Sequence, residues 1–160
     1  MVRRRKLLLK LSPPLVELSK QYNIPVEKLV ELQRSASWSE SDIRKGLELA
    51  KTYHRSLKTV SDMKRKLIEW DSVQKCFDLA RQYNITHEEV AKLRGEKIPF
   101  GWEDINNALS RSAQFNVPAQ RLLELKRTRA WDEIDRLLNT DKEWLNVTLE
   151  KLVELRIKMN

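Results

Sequence analysis

The chain has 160 residues, 41% of them hydrophobic and 34% charged, with only three Gly and five Pro. That composition argues against a hairpin-rich sheet and against disorder. Abundant Leu, Lys, Glu and Arg favour helices in a folded, soluble protein with a real core. Net charge is +8, with two concentrated blocks: residues 1–10 carry five basic groups and no acid, and residues 51–66 carry six basic groups and one acid.

A block of like charge reads as an interaction arm or a polyanion contact, or as a solvated tail. Cys76 is the single cysteine. It excludes an intramolecular disulfide and a cysteine-based zinc site, and it suits a reducing compartment.

The opening "MVRRRKLLLKLSPP" has a basic start, but its apolar run Leu7–Leu9 is broken by Lys10 and ends at Pro13. That is too short for the apolar region of a secretory signal. No segment reaches the roughly 18 apolar residues of a membrane span. The expectation is a cytoplasmic or nucleoid-associated protein whose residues 1–12 form a basic arm, with Arg3, Arg4, Arg5 and Lys6 as its phosphate contacts.

From Tyr22 onward one phrase recurs: "YNIPVEKLVEL", "YNITHEEVAKL", "FNVPAQRLLEL" and "LNVTLEKLVEL". With the diverged copy "YHRSLKTVSDMK", five units start near Tyr22, Tyr53, Tyr83, Phe115 and Leu145, spaced by 31, 30, 32 and 30 residues. A fixed period in this range signals a tandem array. The units lie near 22–52, 53–82, 83–114, 115–144 and 145–160, within a single helical-repeat domain over 13–160.

The third residue after each aromatic position is Pro25, Ser56, Thr86, Pro118 or Thr148. Ser and Thr cap helix starts and Pro is tolerated in the first turn. Thr86 and Glu89 have capping-box spacing. Apolar residues then recur three and four apart, as Val26, Leu29, Val30 and Leu32 or as Leu122, Leu123 and Leu125, so a short helix with one buried face is expected. In the diverged copy Val60 and Met63 take these places.

A polar turn and a Trp follow in four units: Trp38, Trp70, Trp102 and Trp131. Acidic residues come next, suiting a helix N-terminus, and an aliphatic lies three residues on (Val73, Ile105, Ile134). In the first unit that aliphatic, Ile43, is five away. A longer helix then runs to the next aromatic, except that Asn139–Asp141 should break the fourth. The Trp side chains read either as stacking platforms for bases or, as expected here, as core residues wedged between helices. Trp144 breaks register and is the best candidate for exposure.

Across the end of a long helix into a short one, the third copy reads "CFDLARQYNITHEEVAKL". This resembles the bihelical core of helix-turn-helix DNA-binding proteins: small Ala80 in the first helix, Asn84 at the turn, Ile85 after it, and Val90 and Leu93 facing inward. The first copy matches with Ser19, Asn23, Ile24, Leu29 and Leu32, and the fourth with Ser112, Asn116, Val117, Leu122 and Leu125. Each match covers about eighteen residues. The resemblance implies a bihelical fold and DNA as ligand. Glu88 and Glu89 stand where that family faces DNA, whereas "SLKTV" and "PAQRL" suit a groove. The layout is also similar to superhelical nucleic-acid-binding arrays.

Just after the last apolar residue of each short helix comes a basic residue: Arg34, Lys64–Arg65–Lys66, Arg94, Lys126–Arg127 and Arg156. Regular stacking would align these as a polyanion track. The alternative is that each cation complements its own helix dipole. Arg55, Lys58, Gln120, Arg121 and Arg129 complete the candidate nucleic-acid-binding set.

His54 and His87 read as surface or turn residues without a metal role, since no second ligand stands at suitable spacing. No phosphate-cradling Gly-rich loop occurs, and the repeated acids after each Trp are first-turn residues. "NIT" and "NVT" match glycosylation acceptors but fall in the repeat turn. No catalytic residue, metal or cofactor is expected.

The chain therefore reads as all-α, a tandem array of about five helix-turn-helix-like α-hairpin repeats with a period of 30–32 residues. It is expected to bind DNA, without catalysis, through phosphates. RNA is a further possibility, and a protein-interaction scaffold or inhibitor is the rival reading. No membrane or small-molecule partner is expected.

Overall fold

Helix starts and stops follow from local chemistry. In a computed structural model, which describes residues 12–140, the order is α1 (Pro13–Tyr22), α2 (Val26–Ser35), α3 (Glu40–Thr52), α4 (Leu57–Leu67), α5 (Trp70–Gln82), α6 (His87–Arg94), α7 (Trp102–Phe115), α8 (Ala119–Lys126) and α9 (Trp131–Leu138). The described residues are all-helical, with no strand among them. None of these helices is long and apolar enough to cross a membrane. The arm residues Arg3, Arg4, Arg5 and Lys6, together with Trp144, the unit near Leu145 and Arg156, lie outside the described residues.

The short helices begin where the recurring phrase places them. Ser56 and Thr86 are N-caps whose hydroxyls accept from the Thr59 and Glu89 backbone N–H, at 3.1 and 3.2 Å. Glu89 returns the bond to the Thr86 N–H at 2.8 Å, closing the capping box. Pro25 and Pro118 stand one place earlier than a first-turn proline: they are the N-cap residues, and the helices start at Val26 and Ala119.

Preceding each short helix is one left-handed residue: Asn23, His54, Asn84 and Asn116, with φ of 53°, 51°, 52° and 55°. At the first three the backbone closes in the same way. The Ile24, Arg55 and Ile85 N–H groups donate to the Ser19, Ala50 and Ala80 carbonyls at 3.0, 2.9 and 3.0 Å. The N–H of the left-handed residue itself returns to Lys20, Lys51 or Arg81, each at 3.4 Å. Two late helix carbonyls are thereby satisfied at a left-handed stop. Asn supports that conformation at little cost, because its short polar side chain tolerates it.

The chain divides into two compact units, Met1–Gln74 and Lys75–Asn160. In the first, α1, α2 and α3 pack on one another and α3 packs on α4. Leu15, Leu18, Leu29, Trp38, Ile43 and Leu47 form one buried cluster, with Tyr22, Ile24, Leu57 and Trp70 packed against it. In the second, α6 packs on α7 and α8, α7 on α8, and α8 on α9. Val90, Ile105, Ala108, Leu122, Leu123 and Ile134 are fully enclosed there. Each buried Val, Leu or Ile is worth about 1.5–3 kcal/mol, so these residues, and not the exposed ion pairs, hold each unit together.

Gly46 is what lets the first core close. The rings of Trp38 and Trp70 meet edge to face, with centroids 5.1 Å apart at 73°. A Cβ on Gly46 would lie 2.7 Å from the Trp38 ring and 3.3 Å from that of Trp70. Trp38 is only 6% exposed, so its ring has nowhere to move. Gly→Ala inside a helix ordinarily gains up to about 1 kcal/mol. Here Gly46→Ala should instead destabilise by about 1–3 kcal/mol through overpacking. A raised melting temperature would show that the tryptophan pair yields.

Between α4 and α5 the chain turns at Ile68, with φ 68° and ψ −47°, and Glu69 N–H reaches back to the Leu67 carbonyl at 2.7 Å. A β-branched residue is strained in this tight turn. Its side chain is 73% exposed, so little packing is lost by removing it. Ile68→Gly is expected to stabilise the protein by about 1 kcal/mol in chemical denaturation.

Candidate nucleic-acid interface

The last turn of α4 and its outer face gather the cations of the first unit. Arg55, Lys58, Arg65 and Lys66 are exposed. Asp62 is the acid among them: Lys58 approaches it at 3.4 Å, and Arg65 pairs with its other oxygen. Burial pushes the Asp62 carboxyl up, but the hydrogen bonds and charges of Lys58 and Arg65 together outweigh it and hold the group below the ordinary carboxylate range. Arg34 is exposed in the last turn of α2.

Lys64 is committed inward. Its ammonium lies 5.2 Å from the centroid of the Trp70 ring and donates to the Ile68 carbonyl that ends the helix. Under it, the Trp70 indole N–H donates to Asp42 Oδ1 at 2.7 Å. The Asp42 carboxyl also completes the α3 capping box with Ser39.

In the second unit the cations meet rings as well. The Arg94 guanidinium lies 4.5 Å from the centroid of Trp102, and that of Arg127 lies 4.3 Å from Phe100. Arg129 pairs with Glu133 at 3.5 Å. Gln120 is exposed at the start of α8, while Arg121 and Lys126 are half-buried. Arg34, Arg55, Lys66, Arg121 and Lys126 have no ion pair, side-chain hydrogen bond or ring contact among the described residues.

One arrangement did not stand out from the sequence. Arg111 in α7 forks onto Asp135 in α9, with contacts of 2.5 and 2.8 Å, while its guanidinium covers the Trp131 ring at 4.5 Å. The Trp131 indole N–H in turn donates to Asp104 at 2.9 Å. This repeats the Trp70–Asp42 contact: an indole reaches an acid in the first turn of a helix 27 or 28 residues earlier. Superposing the copies carries that signal for these two, because Trp70 and Trp131 each have a first-turn Asp 28 or 27 residues before them.

Two expectations need correction. Among the described residues only Trp38 is a buried tryptophan; Trp70, Trp102 and Trp131 are half-buried at the first residue of their helices. Their rings therefore keep a face for a cation to cover. His54 is an exposed turn residue as expected, but His87 is buried, 7% exposed and edge-on to Phe77 at 5.4 Å. It is the first residue of α6, and the apolar contact with α5 draws the imidazole inward. Glu88 lies 3.0 Å from its Nε2, and Glu89 is spent on the capping box. Cys76 donates to the His87 carbonyl at 3.3 Å, and burial pushes its thiol pKa up to about 12, so it stays protonated at neutral pH. Among the described residues no three His, Cys, Asp or Glu side chains gather as a metal site.

Asp42 is held below its ordinary value chiefly by the Trp70 hydrogen bond, and Asp135 chiefly by Arg111. A depressed folded-state pKa adds stability that is fully present above the ordinary value of 3.8 and is lost as pH falls through the lower folded values. Melting temperature should therefore drop on acidification below about pH 4. Asp135→Asn should lower it at neutral pH and flatten the acid drop. An acid profile identical to the parent's would show that the fork contributes nothing.

No protein-family model matches the chain, and neither does any curated protein or solved structure.

Proposed function

We propose that the chain is a tandem array of helix-turn-helix-like hairpins that binds nucleic acid through phosphates, without catalysing a reaction, DNA being the first candidate and RNA the second. The observation that carries this reading is the uncompensated charge of α4 and its approach. Between Arg55 and Lys66, five cations stand against Asp62 alone. On α3, by contrast, Arg44 pairs with Glu40 at 3.6 Å and Lys45 with Glu48 at 3.9 Å on their own helix. The recurrence of one left-handed turn every 30–32 residues supports the array. Free cations at helix ends support phosphate contact, since phosphate neutralisation releases counterions whatever the sequence.

A second reading, a protein-interaction scaffold, is favoured by Lys64, Arg94 and Arg127, whose charges lie over aromatic rings. On that reading the basic residues are packing and solvation. Electrophoretic shifts with duplex DNA and with RNA at two salt concentrations separate the two.

If Arg34, Arg55, Lys66, Arg121 and Lys126 each engage a phosphate, the log–log salt slope on duplex should be near about −4.5, or about 500-fold weaker binding from about 50 to about 200 mM salt. Lys66→Ala should flatten the slope by about one unit without changing sequence preference or melting temperature. A lost melting temperature with an unchanged slope would instead favour the scaffold.

A further inference from the structure

The turn joining α1 to α2 and the turn joining α3 to α4 line one groove in the first unit, about 450 Å³ in volume. That lies within the size range of small-ligand sites. Ile24 and Leu57 supply an apolar part, and Gln21, Tyr22, Lys51 and Arg55 supply polar and aromatic walls. No acidic side chain among the described residues lines it. The Lys51 ammonium lies 5.9 Å from the centroid of the Tyr22 ring, which holds it beside the groove. The Arg55 guanidinium is exposed, with no side-chain partner among the described residues.

We propose that this groove binds one nucleotide unit, its phosphate between Lys51 and Arg55 and its base against the apolar part. Guanidinium and ammonium together favour a group with several anionic oxygens, and guanidinium binds phosphate in a bidentate manner. A carboxylate side chain satisfies the charges but brings no planar body to cover Ile24 and Leu57. The nucleotide belongs to a strand if the nucleic-acid reading above holds, on which that assignment rests, or is a free nucleotide if it does not. Lys51, Tyr22 and Gln21 thereby join a site in which the sequence pointed only to Arg55.

The test uses the full chain in solution, with backbone amide NMR shifts followed during titration with adenosine 5′-monophosphate, inorganic phosphate, a single-stranded oligonucleotide and a hexaglutamate peptide. The expected result is saturable shifts at residues 21–24 and 51–57 with the mononucleotide, and weaker ones with inorganic phosphate. Lys51→Ala and Arg55→Ala should each weaken mononucleotide binding about tenfold, and Arg55→Lys should recover part of it. Both side chains are exposed, so unchanged melting curves accompany the loss. Response to both mononucleotide and oligonucleotide assigns the groove to a strand. Response to the mononucleotide alone keeps the groove and assigns it to a free nucleotide instead of a strand. Oligonucleotide binding that ignores both variants, with no mononucleotide response, overturns the groove and leaves that reading standing. Hexaglutamate shifts equal to or larger than those of the mononucleotide also overturn it.

Discussion

A single left-handed residue at the end of each long helix is the constraint on which the local architecture depends. At Asn23, His54 and Asn84 it turns the chain within three residues, and paired backbone hydrogen bonds lock the turn. The outer bond ends on the carbonyl of Ser19, Ala50 or Ala80, all small residues. Ser19 adds a bond of its own, its hydroxyl donating to the Ile24 carbonyl at 2.6 Å. Two places on, Pro25, Ser56 or Thr86 caps the short helix, which starts at once. Shift the left-handed residue by one place and the buried face of the short helix rotates by about 100° away from its partner. That makes the turn, more than any single apolar residue, responsible for which side chains meet.

The tryptophans depend on this turn in their own way. Each of Trp70, Trp102 and Trp131 opens a helix and lies under a cation, with Trp70 and Trp131 also bonded to an acid. A cation over an exposed ring is worth about 0.5–1 kcal/mol, far less than a buried leucine. Such a contact orients the side chain without consuming it. A guanidinium stacked on a ring uses its face and keeps its in-plane N–H donors. Arg94 and Arg127 can therefore pack on an aromatic and still present an edge to an oxyanion. Lys64 differs, because its ammonium also serves the Ile68 carbonyl.

What was legible in the sequence was whatever depends on neighbours along the chain. Ser56, Thr86 and the Thr86–Glu89 box announced helix starts, and Asn84 announced a left-handed turn. Val60, Met63, Leu122 and Leu125 announced a buried face, and all four are buried. What escaped depends on partners far along the chain. The Arg111–Asp135 fork spans 24 residues, and Gly46 faces two rings at once. His87 carries no local sign of burial; its place is decided by Phe77 on the preceding helix. Lys64 looked like a track residue because a run of cations after an apolar face looks the same whether each serves a phosphate or a ring.

Charge distributes unequally between the two compact units. Residues 1–74 hold sixteen basic and nine acidic groups, a net of +7; residues 75–160 hold fifteen and fourteen, a net of +1. The second unit spends several of its cations internally, on Asp135, Glu133, Trp102 and Phe100. The first carries its excess in two blocks of the sequence, residues 1–10 and 51–66, and in the second block Asp62 alone tempers the cations. At physiological salt the screening length is about 8 Å, so a cation acts mainly on what lies next to it. Under the proposed function a polyanion would therefore be drawn to the first unit by local charge, not by the net charge of the whole chain. On the polyanion reading the near-neutral helix ends of the second unit add contacts only after such a ligand is already held, and their ring-stacked cations then act at short range.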